Sequence, residues 1–253
     1  MSKIIAIFNT NPCSLFIYFI FYFPVCQKSN QIDRKQFSTA LKALQRLFFI
    51  CQTINLKDIY NELGENDTKE LLKNYKCPLN KDVEDFLKNK AIEFSKRDYS
   101  RTYIVMSSYK QENIIVGYFA IANKSTVIKK SILSKTKRKR FLAFANYDND
   151  IKGYHIALPL IGQIGKNYYN GYDKIITGDI LLKLACNKIK EIQNAIGGRY
   201  VFLECEDNSK LKEFYENNGF VCFGKRNLEK DERETNKGDY LLQMLRDLSK
   251  KEN

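Results

Sequence analysis

The spacing of hydrophobic and polar positions changes several times along the chain, and each change marks a change of element. Between Gln31 and Thr53, Phe37, Leu41, Leu44, Leu47, Phe48 and Cys51 recur at spacings of three and four, which predicts an amphipathic helix. Asp58 to Tyr75 and Lys81 to Tyr99 read as further helices. The second carries Val83, Phe86, Leu87, Ile92 and Phe94 on its apolar side, and Cys77-Pro78 breaks the chain between the two. From Thr102 the period shortens. Thr102 to Ser107 and Ile114 to Asn123 are β-rich runs on either side of the polar SYKQEN, which predicts a hairpin. A turn-rich link, Asn146 to Asp150 with Gly153, leads into Tyr154 to Phe223, which reads as strand, loop, helix, strand and helix. Ala157 to Ile164 is expected to be a central strand buried on both faces. Gly162 and Gly165 mark where it weakens or splays and where a ligand comes close to its backbone. In the following helix Leu181, Ala185, Ile189, Ile192 and Ile196 form one buried face, and Gly197-Gly198 ends it. A charged loop, Glu229 to Gly238, and a last strand, Tyr240 to Leu245, complete the pattern.

Composition adds bounds. At 253 residues the chain is long enough for one full domain with an appendage. Ile4 to Gln27 carries no charge, and Cys13 to Cys26 is almost wholly apolar and aromatic. Asn9 to Pro12 interrupt it, leaving less than the roughly 20 residues of a spanning helix. Residues 1–53 are read as a hydrophobic and helical extension packed on the domain, with a signal peptide or membrane anchor as the alternative. No small-residue cleavage site follows. The balance of 42 Lys and Arg against 29 Asp and Glu, net +13, favours a polyanionic partner or reflects a lysine-rich coding bias. Between residues 129 and 140, Lys129, Lys130, Lys135, Lys137, Arg138, Lys139 and Arg140 form a basic cluster that is either a solvated loop or a contact surface for a phosphate backbone. Seven cysteines with no CxxC pair fit neither a disulfide framework nor a zinc cluster, and a reducing cytoplasm is the simpler reading. With His155 the single histidine, a multi-histidine metal site is excluded, and a histidine-dependent triad has one possible base.

From about Ile54 to Leu245 the order of elements, helices, then a β meander, then strand, loop, helix, strand, helix and strand, resembles the GNAT superfamily of acyl-CoA-dependent N-acetyltransferases. Three segments carry the resemblance. They are CPLNKDVEDFLKNKAIEFSKRDYSRTYIV with IVGYFAIAN, then LPLIGQIGKNY with TGDILL, and ECEDNSKLKEFYENNGFVCFGKR. Within the superfamily the chain looks most like the branch of bacterial toxins that acetylate aminoacyl-tRNA. Asn208, Leu211, Phe214, Tyr215, Gly219 and Phe220 make the most specific motif. The resemblance implies an α+β domain, residues 54–253, with a central mixed, mostly antiparallel sheet flanked by helices. It also implies acetyl-CoA as acyl donor with no metal, and aminoacyl-tRNA, an antitoxin and a second copy of the chain as partners, with a cytoplasmic location. Two other readings stay open. One is acetylation of a protein or small-molecule amine; the other is a nucleic-acid or membrane-surface binding module with a degenerate acyl-CoA site.

The resemblance also implies roles. The pantetheine arm is expected along the backbone of Ile161, Gly162, Gln163, Ile164 and Gly165, with Gln163 at the family's Arg/Gln position ahead of the loop. The pyrophosphate is expected near Gly171, Lys174, Thr177, Gly178 and Asp179, and Asn208 is a further implied cofactor contact. The family's loop, Q/R-x-x-G-x-G/A, falls on Asp173 to Gly178. Only the last glycine is kept, since Ile176 replaces the first and Asp173 the Gln/Arg, which predicts a remodelled loop beginning near Asn170-Gly171. A cradle of backbone N–H groups needs geometry rather than particular side chains. Tyr215 matches the family's general acid, and a phenol of pKa about 10 suits a leaving thiolate of pKa about 8–9. Glu204 is the candidate base, with Asp207 either a second one or a helix cap. An aminoacyl α-amine, of pKa roughly 8 or below, needs no strong base. Cys205 and Cys222 are read as packing residues, and His155 as a surface residue or a proton relay.

Overall fold

The computed structural model describes residues 51–142, 145–229 and 238–249. The expected helix at Gln31 to Thr53, the apolar segment before it and most of the charged loop at 229–238 lie outside the described residues. The chain runs β1 (Gln52–Asn55), α1 (Leu56–Leu72), α2 (Lys81–Asp85), a π-helical turn (Phe86–Lys90), α3 (Ala91–Lys96), β2 (Arg101–Tyr109) and β3 (Glu112–Lys129). It continues through a 3-10 turn (Lys130–Ile132), α4 (Lys135–Leu142), β4 (Asn146–Asp148), β5 (Gly153–Lys166), a 3-10 segment (Tyr169–Lys174), α5 (Gly178–Ile196), β6 (Tyr200–Glu206), α6 (Ser209–Asn217), β7 (Val221–Asn227) and β8 (Tyr240–Asp247). β1 begins two residues before the expected domain start at Ile54.

One sheet has the order β1-β2-β3-β5-β6-β8-β7, with β4 pairing the start of β5. Every pairing is antiparallel except β5 with β6, so the sheet is mixed and mostly antiparallel, as expected. The β2–β3 hairpin closes on Lys110-Gln111, both at positive φ, the tight two-residue turn that suits the twist of the strands.

Strand alternation sends Ile114, Val116, Phe119 and Ile121 of β3, with Val201, Leu203 and Cys205 of β6, to a core beneath α5 and α6. Ile115, Tyr118 and Ala120 face the opposite layer, made by α1, α2, α3 and the π turn. At the far end of that second face Tyr154, Ile156, Leu158, Leu160, Tyr200, Phe202, Phe223 and Leu245 form a third cluster. Two expectations are corrected. β5 is buried on both faces only at Leu160-Ile161, because His155 and Ala157 face solvent where no helix covers them. The buried face of α5 keeps Leu181, Ala185 and Ile189 but ends on Gln193, which donates to the Tyr200 carbonyl at 2.8 Å, leaving Ile196 76% exposed.

Candidate active site

The site is built around a gap in the sheet. β5 and β6 pair at only two positions, Leu160 with Phe202 and Ile161 with Leu203. Beyond them β6 continues along β8, while β5 continues along β3 through a bulge at Gly162. The Gly162 to Lys166 edge of β5 therefore has no strand on its β6 side, and its backbone donors and acceptors there are open to a ligand. A Cβ on Gly162 would meet only Leu160, at 3.8 Å, so the room beside it is not filled by the protein. Gly165 is different. A Cβ there would lie 2.6 Å from Val83 Cγ1 and 2.7 Å from the Tyr75 hydroxyl, so the close approach predicted from sequence is made by the protein's own helical layer. Gln163 donates from Nε2 to Asp82 Oδ2 at 2.7 Å, tying the gap to α2.

Past the gap the chain turns through Asn170 (φ 51°) and Gly171 (φ 74°), the place where a remodelled loop was expected. Ile176, standing where the family has glycine, is 2% exposed and anchors the loop in the core beneath α5. Thr177 is the N-cap of α5, its hydroxyl accepting from Ile180 N at 3.3 Å. The N–H groups of Gly178 and Asp179 complete the first turn, where a helix attracts anions. The carboxylate of Asp179 opposes an anion at that place, but it accepts a hydrogen bond from Asn218 Nδ2 at 2.8 Å, which fixes it toward α6. Gly178 lets the two helices touch: a Cβ would lie 3.2 Å from the Phe214 ring. Lys174 is exposed beside this turn.

Asn208 caps α6, accepting from Lys210 N at 2.9 Å and Leu211 N at 3.4 Å. Asp207, the alternative cap, instead accepts from the Tyr240 hydroxyl at 2.5 Å and pairs with Lys225 at 3.7 Å. Tyr215 is 7% exposed, its ring edge-on to Phe214 (5.1 Å) and Phe220 (5.9 Å). Its hydroxyl makes no hydrogen bond to any described residue. Burial, with Cys205 adding to it, pushes its pKa well above that of an ordinary phenol. Cys205 stands on β6 just past the last β5–β6 pair, and burial pushes its thiol up to about 12, which makes it inert as a nucleophile.

Solved structures with a similar fold include toxins. A tyrosine-to-phenylalanine mutant of KacT aligns with TM-score 0.50 at 15% identity, over 76% of this chain and 93% of that one. AtaT complexed with acetyl-methionyl-tRNAfMet aligns with TM-score 0.49 at 17% identity, over 76% and 93%. A tyrosine-to-phenylalanine mutant of the toxin AtaT aligns with TM-score 0.47 at 18% identity, over 68% and 82%. The fold is GNAT-like. No family model matches the sequence, and no curated protein matches it.

Within the GNAT-like fold, Glu204 lies on the sheet face opposite Tyr215, because it alternates with Leu203 and Cys205. Its side chain is 8% exposed and its oxygens are occupied: Oε2 accepts from Arg226 Nε at 2.9 Å and Lys124 Nζ at 3.5 Å, and Oε1 from Gln243 Nε2 at 2.9 Å. This is a structural anchor joining β3, β6, β7 and β8. His155 pairs with Asp148 at 3.1 Å on the β4–β5 hairpin, about 23 Å from Gly162 at about 3.3 Å per strand residue. That distance is too great for a relay to the gap. The basic cluster is not one loop. Lys129 ends β3, Lys130 opens the 3-10 turn, and the remainder lies on α4. Arg138 Nε donates to the Lys130 and Leu133 carbonyls at 3.1 and 2.9 Å, and Lys130 sits over the Tyr147 ring, so these two hold local structure. The side chains of Lys137 and Arg140 lie outside the described ones. Among the described residues no group of three or more His, Cys, Asp and Glu is placed to hold a metal, and no helix is long and apolar enough to cross a membrane.

Sequence reasoning missed Asn167. It is 3% exposed, accepts from Lys76 N at 3.1 Å and Tyr169 N at 3.0 Å, and donates to the Ile115 carbonyl at 2.8 Å. One side chain thus fixes the end of β5 against β3 and against the α1–α2 connection.

Proposed function

We propose that the chain is an acetyl-CoA-dependent N-acetyltransferase whose acceptor is the α-amino group of an aminoacyl-tRNA. The observation that carries this is the opening between β5 and β6. A slot with unpaired strand backbone leads to the capped N-terminus of α5, and a buried tyrosine of α6 lies on the side of the sheet that α5 covers. In this reading the extended pantetheine arm adds to the Gly162–Gly165 edge as a strand would, and the pyrophosphate meets Gly178 and Asp179 N–H with Lys174 nearby. Transfer forms a carbon–nitrogen bond and breaks a carbon–sulfur bond; one proton leaves the amine and one reaches the thiolate. Because burial raises its pKa, Tyr215 stays protonated across the physiological range and serves as the donor to the developing thiolate. With Glu204 committed to Arg226, Lys124 and Gln243, the weakly basic aminoacyl amine gives up its proton to water rather than to a dedicated side chain. The resemblance in sequence and the net charge of +13 favour the RNA-linked acceptor. An antitoxin, a homodimer and a cytoplasmic location belong to the same proposal.

A second acceptor class is favoured by one observation. A cavity of about 380 Å³ beside the α6 cap is lined by Glu206, Asp207 and Asp239 with Asn208, Gly238 and Tyr240, carboxylates that suit a cationic amine. Two measurements decide. Calorimetry with acetyl-CoA should show binding, and its absence would leave only a nucleic-acid or membrane-surface module. Purified protein should then acetylate charged tRNA; acetylation of a polyamine or peptide with charged tRNA left untouched would select the second acceptor class.

A further inference from the structure

Four tyrosines and three lysines from three separate segments converge where β5 hands over to α5. Tyr109 and Lys110 come from the tip of the β2–β3 hairpin, Lys76 from the α1–α2 connection, and Lys166, Tyr168, Tyr169 and Tyr172 from the end of β5 and the 3-10 segment. The rings form a chain, Tyr109 to Tyr172 at 6.1 Å and Tyr172 to Tyr169 at 6.0 Å. Ammonium groups stand on the rings: Lys110 over Tyr109 at 5.3 Å, Lys76 over Tyr169 at 5.8 Å and Lys166 over Tyr168 at 5.7 Å. Lys174 is exposed in the same segment, so four cations face the acidic side chains of Glu112 and Asp173. The surface is preorganised, because Asn167 fixes both Lys76 and Tyr169 through its buried carboxamide, and Tyr168 N donates to the Lys76 carbonyl at 2.8 Å. Lys166 donates to the Asp173 carbonyl at 3.0 Å.

Aromatic faces interleaved with cations are what a nucleotide needs, a platform for the base and a charge for the phosphate. We infer that this surface binds a phosphorylated adenosine, the base against the Tyr109–Tyr172–Tyr169 rings and the phosphate at Lys76 and Lys110. Two sources share that chemistry, the adenosine 3′,5′-bisphosphate end of the acyl carrier and the 3′-terminal adenosine of an RNA acceptor. The carrier source rests on the acetyltransferase reading.

The test titrates the full chain with adenosine 3′,5′-bisphosphate by calorimetry, then repeats it with Tyr109→Ala combined with Lys76→Ala. Neither residue lies in the gap or the helix N-terminus, and melting curves check the fold. The bisphosphate is expected to bind the native chain and to bind the double variant about tenfold more weakly, while 4′-phosphopantetheine binds both equally. Should the double variant misfold, Lys110→Asn replaces it, since asparagine tolerates the positive φ of that position. Displacement of the bisphosphate by coenzyme A identifies the carrier as source, and displacement by a CCA trinucleotide with coenzyme A still bound identifies RNA. No binding of the bisphosphate, or equal binding by native chain and variant, overturns the inference. Failure of 4′-phosphopantetheine to bind the native chain would instead count against the acetyltransferase reading, leaving the bisphosphate titration to decide this one.

Discussion

Three glycines on the proposed path of the acyl carrier are glycine for three different reasons. At Gly165 a methyl group would run into Val83 and the Tyr75 hydroxyl at 2.6 and 2.7 Å, in a layer held by the strand pairing behind it. Gly165→Ala is therefore expected to cost about 1–3 kcal/mol by overpacking, a fall in Tm of about 2–10 °C, read in a thermal melt. At Gly162 the methyl group meets ordinary contact distance, so Gly162→Ala should melt like the native chain and yet weaken acetyl-CoA binding, because it fills the gap the arm would occupy. A melt unchanged together with unchanged affinity would remove the gap from the site. At Gly178 the constraint is the Phe214 ring, which couples the helix N-terminus to the segment bearing Tyr215. Tyr215→Phe should retain acetyl-CoA binding and lose acetyl transfer; full activity would remove the hydroxyl from the chemistry. Glu204→Gln should behave in the opposite way. It takes the counter-charge from buried Arg226, so a fall in Tm is expected, with the pH profile of any remaining activity unmoved, whereas a shifted acidic limb would restore Glu204 as a base. Sequence alone placed a ligand against both Gly162 and Gly165. It could not separate them, since what approaches Gly165 is a helix some 80 residues earlier in the chain.

At the scale of elements, the parts that were legible are those whose pattern is local. The β2–β3 hairpin, the α5 start and the α6 cap each follow from a few adjacent residues. The parts that were not legible depend on distant partners. Ile196 continues the apolar spacing of α5, yet Gln193 is buried in its stead because the Tyr200 carbonyl of the next strand needs a donor. Asn167 looks like an ordinary loop residue until β3 and the α1–α2 connection close on it. The edge of the β6–β8 ladder is held in the same nonlocal way. Arg199, just before β6, donates from Nη2 to Asp247 Oδ2 at 2.9 Å and from Nε to Oδ1 at 3.2 Å, and Ser249 adds two bonds to Oδ1. Burial alone would raise the Asp247 pKa, but these hydrogen bonds outweigh it and hold the carboxyl below its ordinary value. A depressed folded pKa gives stability that is present above the unfolded value, about 3.9, and is lost as pH falls through the folded one. Asp247→Asn should thus lower Tm by about 2–4 °C at pH 7, for a partly exposed pair worth about 1 kcal/mol. The difference in Tm should shrink below about pH 4; a difference that persists at pH 2 would mean that packing, not charge, is responsible.

Over the whole molecule the excess of 13 positive charges is a property of the surface, and surface charge governs polyanion binding through the counterions it releases. The cluster at 129–140 is the densest part of that charge, but its residues are not equivalent. Arg138 is turned inward onto two carbonyls, whereas Lys135 and Lys139, four residues apart on α4, share one exposed face. If that face meets a phosphate backbone, the logarithm of the tRNA association constant should fall linearly with the logarithm of salt concentration. Lys135→Ala with Lys139→Ala should make that slope shallower by about 0.7–0.9 for each phosphate left without its lysine. Arg138→Ala should chiefly lower Tm, since it frees carbonyls rather than phosphates. A slope unchanged in the lysine pair would clear α4 of any part in RNA binding. The tyrosine and lysine surface at the end of β5 would then be left as the described place where aromatic faces and positive charge meet in one preorganised patch.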